Sequence, residues 1–192
     1  MSKTFSYRRK EVVHGSPGAG EMKMRWPALF HINEINAEFQ RITTHPLETT
    51  FMARLDSLQP QLTSAFQKKG GVTGQKLAKH LQILQEDIEG NAIPTDMQKW
   101  AMGNYAIGKE NGDPGHHDDI GISVDGAIIL DNIGSAGQAC TVMLGVIYAL
   151  NLAYPNELRH YYEFIQKVLM GMDGEKLSPK VLGLKNKIGV GL

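Results

Sequence analysis

One short stretch contains the residue types of a metal site, because His116, His117, Asp118 and Asp119 follow one another. Imidazole and carboxylate groups are ligands for zinc, iron or manganese, and a site built from them could serve a metal-dependent enzyme. Consecutive side chains seldom converge on one ion, however, and the sequence has no H-E-x-x-H spacing. The surrounding residues 110–119 include glycine and proline, which favours a solvated polar turn. The metal-dependent enzyme is therefore the weakest alternative, and no metal ligand is assigned.

Two other patterns share letters with catalytic motifs but lack the required spacing. Gly70–Lys76 contains glycines and a lysine, as a phosphate-binding loop does. Gln75 separates the last glycine from the lysine, and Leu77 stands where a hydroxyl residue is needed. Cys140, the single cysteine, lies in an apolar helical pattern, where a thiol is usually an inert small side chain. The sequence thus predicts no catalytic residue, no cofactor and no enzymatic activity.

A basic segment near the N-terminus indicates a binding function of another kind. Arg8, Arg9 and Lys10 are consecutive, and the aromatic residues Phe5 and Tyr7 precede them. Segments that bind nucleic acids combine aromatic and basic residues in this way, although ordinary solvated tails also contain short basic runs. The formal net charge of the whole chain is zero, which gives no general attraction to nucleic acid or to an anionic membrane. Nucleic-acid association through these residues is therefore an alternative and not the leading hypothesis.

The composition is that of an ordinary folded protein. The 192 residues are 42% hydrophobic and 21% charged, values near the globular average that allow a hydrophobic core. One cysteine excludes an internal disulfide and favours a reducing compartment, so we expect the cytoplasm or the nucleus. The longest apolar run, residues 136–150, is shorter than the roughly 20 residues that cross a bilayer, so no membrane association is predicted.

Glycine and proline divide the chain into two regions. Residues 1–24 are predicted to form a flexible basic arm, because Gly15, Pro17 and Gly18 interrupt any periodic pattern there. Residues 25–192 are predicted to form a single helical domain that begins with the apolar group around Trp26.

Hydrophobic periodicity within that domain predicts a mostly α, α+β fold with a short two-stranded element. Helices are expected to contain Ile35–Ile42, Phe51–Leu58 and Leu77–Leu84, and to cover about 136–150, 155–170 and 179–187. Pro60 is expected to interrupt the second of these helices. The two strands are placed near Tyr105–Ile107 and Ile120–Val124. A run of helices, a small sheet and further helices favours α+β over alternating α/β.

The C-terminal helices have a wider apolar face than one neighbouring helix can cover. Four residues on these helices are the candidates for contact with a protein partner: Tyr161, Tyr162, Ile165 and Leu169. Core packing is the ordinary interpretation of such a face, and binding of a partner is the functional one. The leading hypothesis is thus an intracellular, non-enzymatic protein-interaction or assembly module, whose partner is another protein or a second copy of the chain.

Several sequence blocks resemble a known family. Arg25–Phe30, Phe39–Thr43, Gly145–Leu152 and Phe164–Leu169 are similar, in the same order, to blocks of the sterile-alpha-motif-domain-containing protein 3-like proteins of fish. The resemblance extends from about Phe5 to Lys187 and implies the C-terminal region of those largely uncharacterised proteins.

Longer members of that family carry an interaction module of the sterile-alpha or PB1-like type before this region. The resemblance implies that this chain lacks that module and is shortened around Glu86–Pro94. It supplies no catalytic residues, and it therefore agrees with a role in protein binding.

Overall fold

The computed structural model describes residues 1–68, 102–108, 117–173 and 176–189. Within them the fold is mostly helical α+β, as the periodicity predicts. The predicted helix around Leu77–Leu84 lies outside the described residues. The longer elements are, in chain order, α1 Phe5–Gly15, α2 Ala19–Arg25, α3 Ile32–Thr43, α4 Leu47–Gln67, β1 Met102–Gly108, β2 His117–Val124, β3 Ala127–Leu130, α5 Ala136–Ala149, α6 Arg159–Phe164 and α7 Pro179–Lys187. Short 3₁₀ turns occupy Ser2–Thr4, Pro27–Phe30 and Asn156–Leu158, and a π-helix at Ile165–Leu169 continues α6.

Helix α5 is the centre of the core. Nine of its 14 residues are buried, and it packs against α3, α4 and the strands β1 and β2. Gly145 lies where α3 and α4 come closest to it. A Cβ atom built on Gly145 would stand 2.7 Å from Leu47 Cδ2 and closer still to Ile35 Cγ2. Glycine at this position therefore sets how closely α3 and the start of α4 approach α5.

The sheet has three antiparallel strands in the order β1-β2-β3. The predicted pairing of β1 with β2 is present, with Tyr105 opposite Gly121. The third strand, β3, is an addition to the predicted two-stranded element. Asp125 and Gly126 both have positive φ angles, as a tight hairpin turn requires, and they connect β2 directly to β3. An Asp-Gly pair followed by an apolar run is typical of a β-hairpin, and the prediction of only two strands did not take it into account.

Most of the N-terminal 24 residues are helical instead of forming the expected flexible arm. Val12, Ala19 and Met22 belong to the same buried cluster as the residues of α5. Gly15 is the last residue of α1, and Pro17 and Gly18 lie in the single turn between α1 and α2, which begins at Ser16 in a left-handed conformation. Glycine and proline in this segment therefore mark the turn between two short helices and not a flexible arm.

Helix α4 continues through Pro60, which was expected to interrupt it. A proline inside a helix removes one hydrogen bond, here the bond to the carbonyl of Asp56. Asp56 and Pro60 are both on the exposed face of α4, so water can satisfy that carbonyl. The helix is consequently long enough to form one wall of the site described below.

Substitution of Gly145 by alanine should destabilise the protein by about 1–3 kcal/mol, because the added methyl group must displace Ile35 and Leu47. Urea denaturation followed by circular dichroism measures this difference. Gly137→Ala on the same helix is the matched control, since its Cβ would make an ordinary contact of 3.4 Å with Met52. Equal stability changes in the two variants would contradict the assigned close approach.

Candidate docking groove

An apolar groove of about 950 Å³ lies between the helices on one side of the described structure. Residues of helices α4, α5, α6 and α7 and of the π-helix line it. The volume is near the upper end of the range of about 300–1,000 Å³ that is usual for ligand pockets. We refer to this feature as the apolar groove.

Helix α4 forms the long wall of the apolar groove. Phe51, Leu55, Leu62 and Ala65 line it, and the stretch from the first to the last of them spans about 21 Å at the rise of an α-helix. Leu55, Leu62 and Ala65 are only partly buried, so their side chains are accessible from the groove. Cys140 of α5 lies at the inner edge and is also partly buried.

Three of the four residues predicted to contact a partner line the apolar groove. Ile165 and Leu169 are buried and form part of its floor, and Tyr161 stands at its edge with 43% of its surface exposed. Tyr162 is buried outside the groove, where its ring stacks on that of Tyr154 at a centroid distance of 5.0 Å. Tyr161, Ile165 and Leu169 are spaced by four residues, whereas Tyr162 falls off this stripe. Tyr162 is thus a core residue rather than a surface contact.

Helix α7 forms the opposite wall, which carries the charged residues of the apolar groove. Lys180, Gly183, Leu184 and Lys187 lie on one face of this helix and line the groove. Both lysines are exposed, and neither forms an ion pair within the part of the chain that the structure describes. A Cβ atom on Gly183 would meet nothing within 4 Å, so the groove is open along this helix.

A polar cluster that the sequence analysis missed connects α7 to α6. Glu163 accepts a hydrogen bond of 2.6 Å from the backbone N–H of Ser178, the N-cap of α7. The Ser178 hydroxyl lies 3.2 Å from Nδ1 of His160. Burial opposes ionisation of Glu163, but the hydrogen bonds from Ser178 and His160 and the nearby Lys167 hold its pKa below the ordinary value. The cluster fixes the start of α7 beside the groove.

Serine, histidine and glutamate together suggest a catalytic triad, but the geometry is wrong for one. In a triad, the serine and the acid face different nitrogens of the imidazole ring. Here Ser178 Oγ and Glu163 Oε2 both face Nδ1 of His160, at 3.2 Å and 3.6 Å. Nε2 accepts from Arg159 at 3.4 Å, so the proton of the neutral ring belongs on Nδ1 and the ring cannot take one from the serine there. The cluster positions α7 and does not activate a nucleophile.

The predicted nucleic-acid residues Arg8, Arg9 and Lys10 point in different directions and do not form one surface. Arg8 is 1% exposed and forms a salt bridge of 2.7 Å with Glu38, which is itself 2% exposed. Arg41 binds the same carboxylate at 2.6 Å. Arg8 also donates to the hydroxyl of Thr4 at 2.6 Å. Arg8 is thus a structural residue of the core and not a contact for nucleic acid.

The other two residues of the basic segment differ from Arg8. Arg9 donates to the backbone carbonyl of Tyr148 at 2.8 Å and lies 3.3 Å from Asn151 Oδ1. A cation at this position interacts favourably with the last carbonyls of α5. Lys10 is exposed to solvent. Only one of the three predicted residues is therefore fully available to a nucleic acid.

The predicted metal cluster is described only at its last residue. His116 and the side chains of His117 and Asp118 lie outside the described part of the chain. Both carboxylate oxygens of Asp119 accept from protein groups, Oδ1 from the N–H of Asn132 at 2.7 Å and Oδ2 from the Tyr105 hydroxyl at 3.2 Å. Among the described residues no three acidic, histidine or cysteine side chains are close enough together to hold a metal ion.

One comparison with known proteins gives a match. The family model described as sterile alpha motif domain-containing protein 3, helical domain, matches residues 1–31, which include α1 and α2. No curated protein and no solved structure matches the chain. The chain is thus similar to that family over its N-terminal residues. The sequence analysis predicted a wider resemblance, of residues 5–187 to the C-terminal region of the family proteins, and the match does not extend that far. None of the described helices is long and apolar enough to cross a membrane.

Glu38→Gln should destabilise the protein by about 3–5 kcal/mol, because it leaves the buried Arg8 without a negative partner. Arg8→Met should cost less, about 1–3 kcal/mol, because Glu38 keeps its contact with the partly exposed Arg41. Urea denaturation of both variants measures the two losses. A larger loss of stability in Arg8→Met than in Glu38→Gln would contradict the interpretation that the buried charge of Arg8 depends on Glu38.

Alkaline pH should destabilise the fold through its buried tyrosines. Burial, followed by the nearby Cys140, raises the pKa of Tyr162 to about 12, whereas an unfolded tyrosine has a pKa of about 10. The unfolded state therefore loses its proton first, and stability falls as the pH rises from about 10 towards 12. Near pH 11 the loss from Tyr162 is about 1.4 kcal/mol.

Thermal unfolding of wild type and Tyr162→Phe between pH 8 and pH 11 tests this assignment. The phenylalanine variant should lose less stability over that interval, because the ionisable hydroxyl is gone while the ring remains. Parallel decreases in the two melting temperatures would show that Tyr162 does not contribute.

Proposed function

We propose that the protein is a non-enzymatic protein-interaction module that binds an apolar segment of a protein partner in the apolar groove. The observation that supports this proposal most directly is the groove itself, an open apolar surface that lies between four helices and the π-helix. Protein surfaces that accept a helix of a partner have this character. The similarity of residues 1–31 to a family named for an interaction domain is compatible with the proposal.

The alternatives have less support. The arrangement of Arg8, Arg9 and Lys10 leaves one exposed cation on α1, too few for the electrostatic binding of nucleic acid through this segment. The cluster of His160, Glu163 and Ser178 lacks the geometry of a hydrolase. The single cysteine remains the reason to propose a reducing compartment, the cytoplasm or the nucleus.

Photo-crosslinking tests the proposal with the full chain. A photoreactive amino acid at position 161, at the edge of the apolar groove, should crosslink to a protein in an extract of cells that express the chain. Gly183→Trp should remove this crosslink, because Gly183 lines the groove and a large ring added there can occupy its opening without meeting a neighbouring atom at the Cβ position. Leu182→Trp is the matched control, since Leu182 is on the same helix, is 45% exposed and does not line the groove.

Light scattering of the same variants distinguishes the two kinds of partner. A dimer that dissociates in Gly183→Trp but persists in Leu182→Trp would identify a second copy of the chain as the partner. Crosslinking and oligomeric state that are identical in wild type and Gly183→Trp would contradict docking through the apolar groove. Circular dichroism must show equal helical content in all three proteins.

A further inference from the structure

We infer that the segment which fills the apolar groove is an amphipathic helix with acidic residues beside its apolar stripe. This inference rests on the proposed function and specifies the chemistry of the partner. Three features of the groove support it: its length, its charges and the spacing of those charges.

The length of the apolar groove suits a helix of several turns. The lining residues of α4 extend over about 21 Å, which equals about four turns of an α-helix. A helix lying along this wall would place apolar side chains at i, i+4, i+7 and i+11 against Leu55, Leu62 and the floor at Ile165. A compact ligand would leave part of this length empty.

The charges of the apolar groove have one sign. Lys180 and Lys187 are the only side chains with a full charge at neutral pH among its described lining residues, and His160 is the only other titratable base. No aspartate or glutamate lines the described part of the groove. Glu163 accepts a hydrogen bond from Ser178, and Asp56 on α4 is exposed and does not line the groove. Lys68 at the end of α4 lies beside Lys187 at an adjoining depression and extends the positive edge. An acidic partner would meet complementary charge along this edge.

The spacing of the two lysines matches that of a helical partner. Lys180 and Lys187 are seven residues apart on α7, so they lie on the same face about 10 Å from each other. Two carboxylates separated by seven residues on a partner helix would have the same spacing. A partner helix parallel or antiparallel to α7 could therefore form both ion pairs while its apolar stripe enters the groove.

Binding of designed peptides to the full chain tests this inference. The first peptide is an 18-residue helix with leucine at i, i+4, i+7 and i+11 and two glutamates seven residues apart beside that stripe. The second has lysine in place of the two glutamates. Fluorescence anisotropy at low salt should show the glutamate peptide binding about tenfold more tightly, because each exposed ion pair contributes modestly and each like-charge pair opposes binding.

A charge-reversed protein provides the decisive comparison. Lys180→Glu/Lys187→Glu should bind the lysine peptide more tightly than the glutamate peptide, which reverses the preference of the wild type. Lys180→Gln/Lys187→Gln should bind the two peptides nearly equally. This neutral variant is the control for a loss of α7 structure caused by the two introduced glutamates. Gly183→Trp should bind neither peptide, whereas Leu182→Trp should behave like the wild type.

Two results would overturn the inference and leave the proposed function standing. Equal binding of both peptides by the wild type would show an apolar groove that does not select charge. Failure of both peptides, with the crosslink of the preceding section still lost in Gly183→Trp, would mean that the natural partner is not a helix of this type. Binding of decanoate, but of neither peptide, in a manner that Gly183→Trp abolishes would contradict the proposed function as well, because it would identify a small anionic amphiphile as the occupant.

Discussion

Helix α5 is apolar on nearly every side, and such a helix must be covered all round by other elements. Helices α3 and α4 cover one side, the strands β1 and β2 another, and the absence of a side chain at Gly145 allows the closest of these contacts. The coverage is incomplete near the start of α5, where Ala136, Gly137 and Cys140 border the apolar groove. The groove is therefore a consequence of how this one helix is buried.

The buried pair of Arg8 and Glu38 has a different role from the apolar contacts. It connects α1 to α3 with a specific geometry, and Arg41 completes the neutralisation of the shared carboxylate. Buried ion pairs contribute little net stability compared with apolar packing, but loss of one partner is costly. This ion pair thus fixes the position of α1 relative to α3 and contributes little to the free energy of unfolding. It also explains why the most basic segment of the chain is not a basic surface.

The sequence predicted the elements whose apolar pattern is strong, and it failed where tertiary contacts decide. The uncharged run of α5, the Pro179 start of α7 and the alternating residues of β2 each identified their element directly. The N-terminal helices have a weak apolar pattern, because only Val12, Ala19 and Met22 reach the core, and the burial of Arg8 depends on a glutamate 30 residues away. Of the groove, the sequence identified the stripe of Tyr161, Ile165 and Leu169 but not α4 or α7, since no local pattern indicates that separate helices face one another. Tyr162 was wrongly included among the predicted contacts, since it falls outside the four-residue spacing of that stripe and is buried.

Gly183 has a consequence for how this protein could change over time. Glycine in the interior of a helix is less favourable than alanine by roughly 0.5–1 kcal/mol, and nothing near Gly183 requires its small size. Almost any replacement would therefore make α7 more stable while it narrowed the opening. Selection for stability alone would remove this glycine, so its persistence in a lineage would record continued use of the opening. Under the proposed function, related chains without a partner should accumulate larger residues at this position before any change appears in the core.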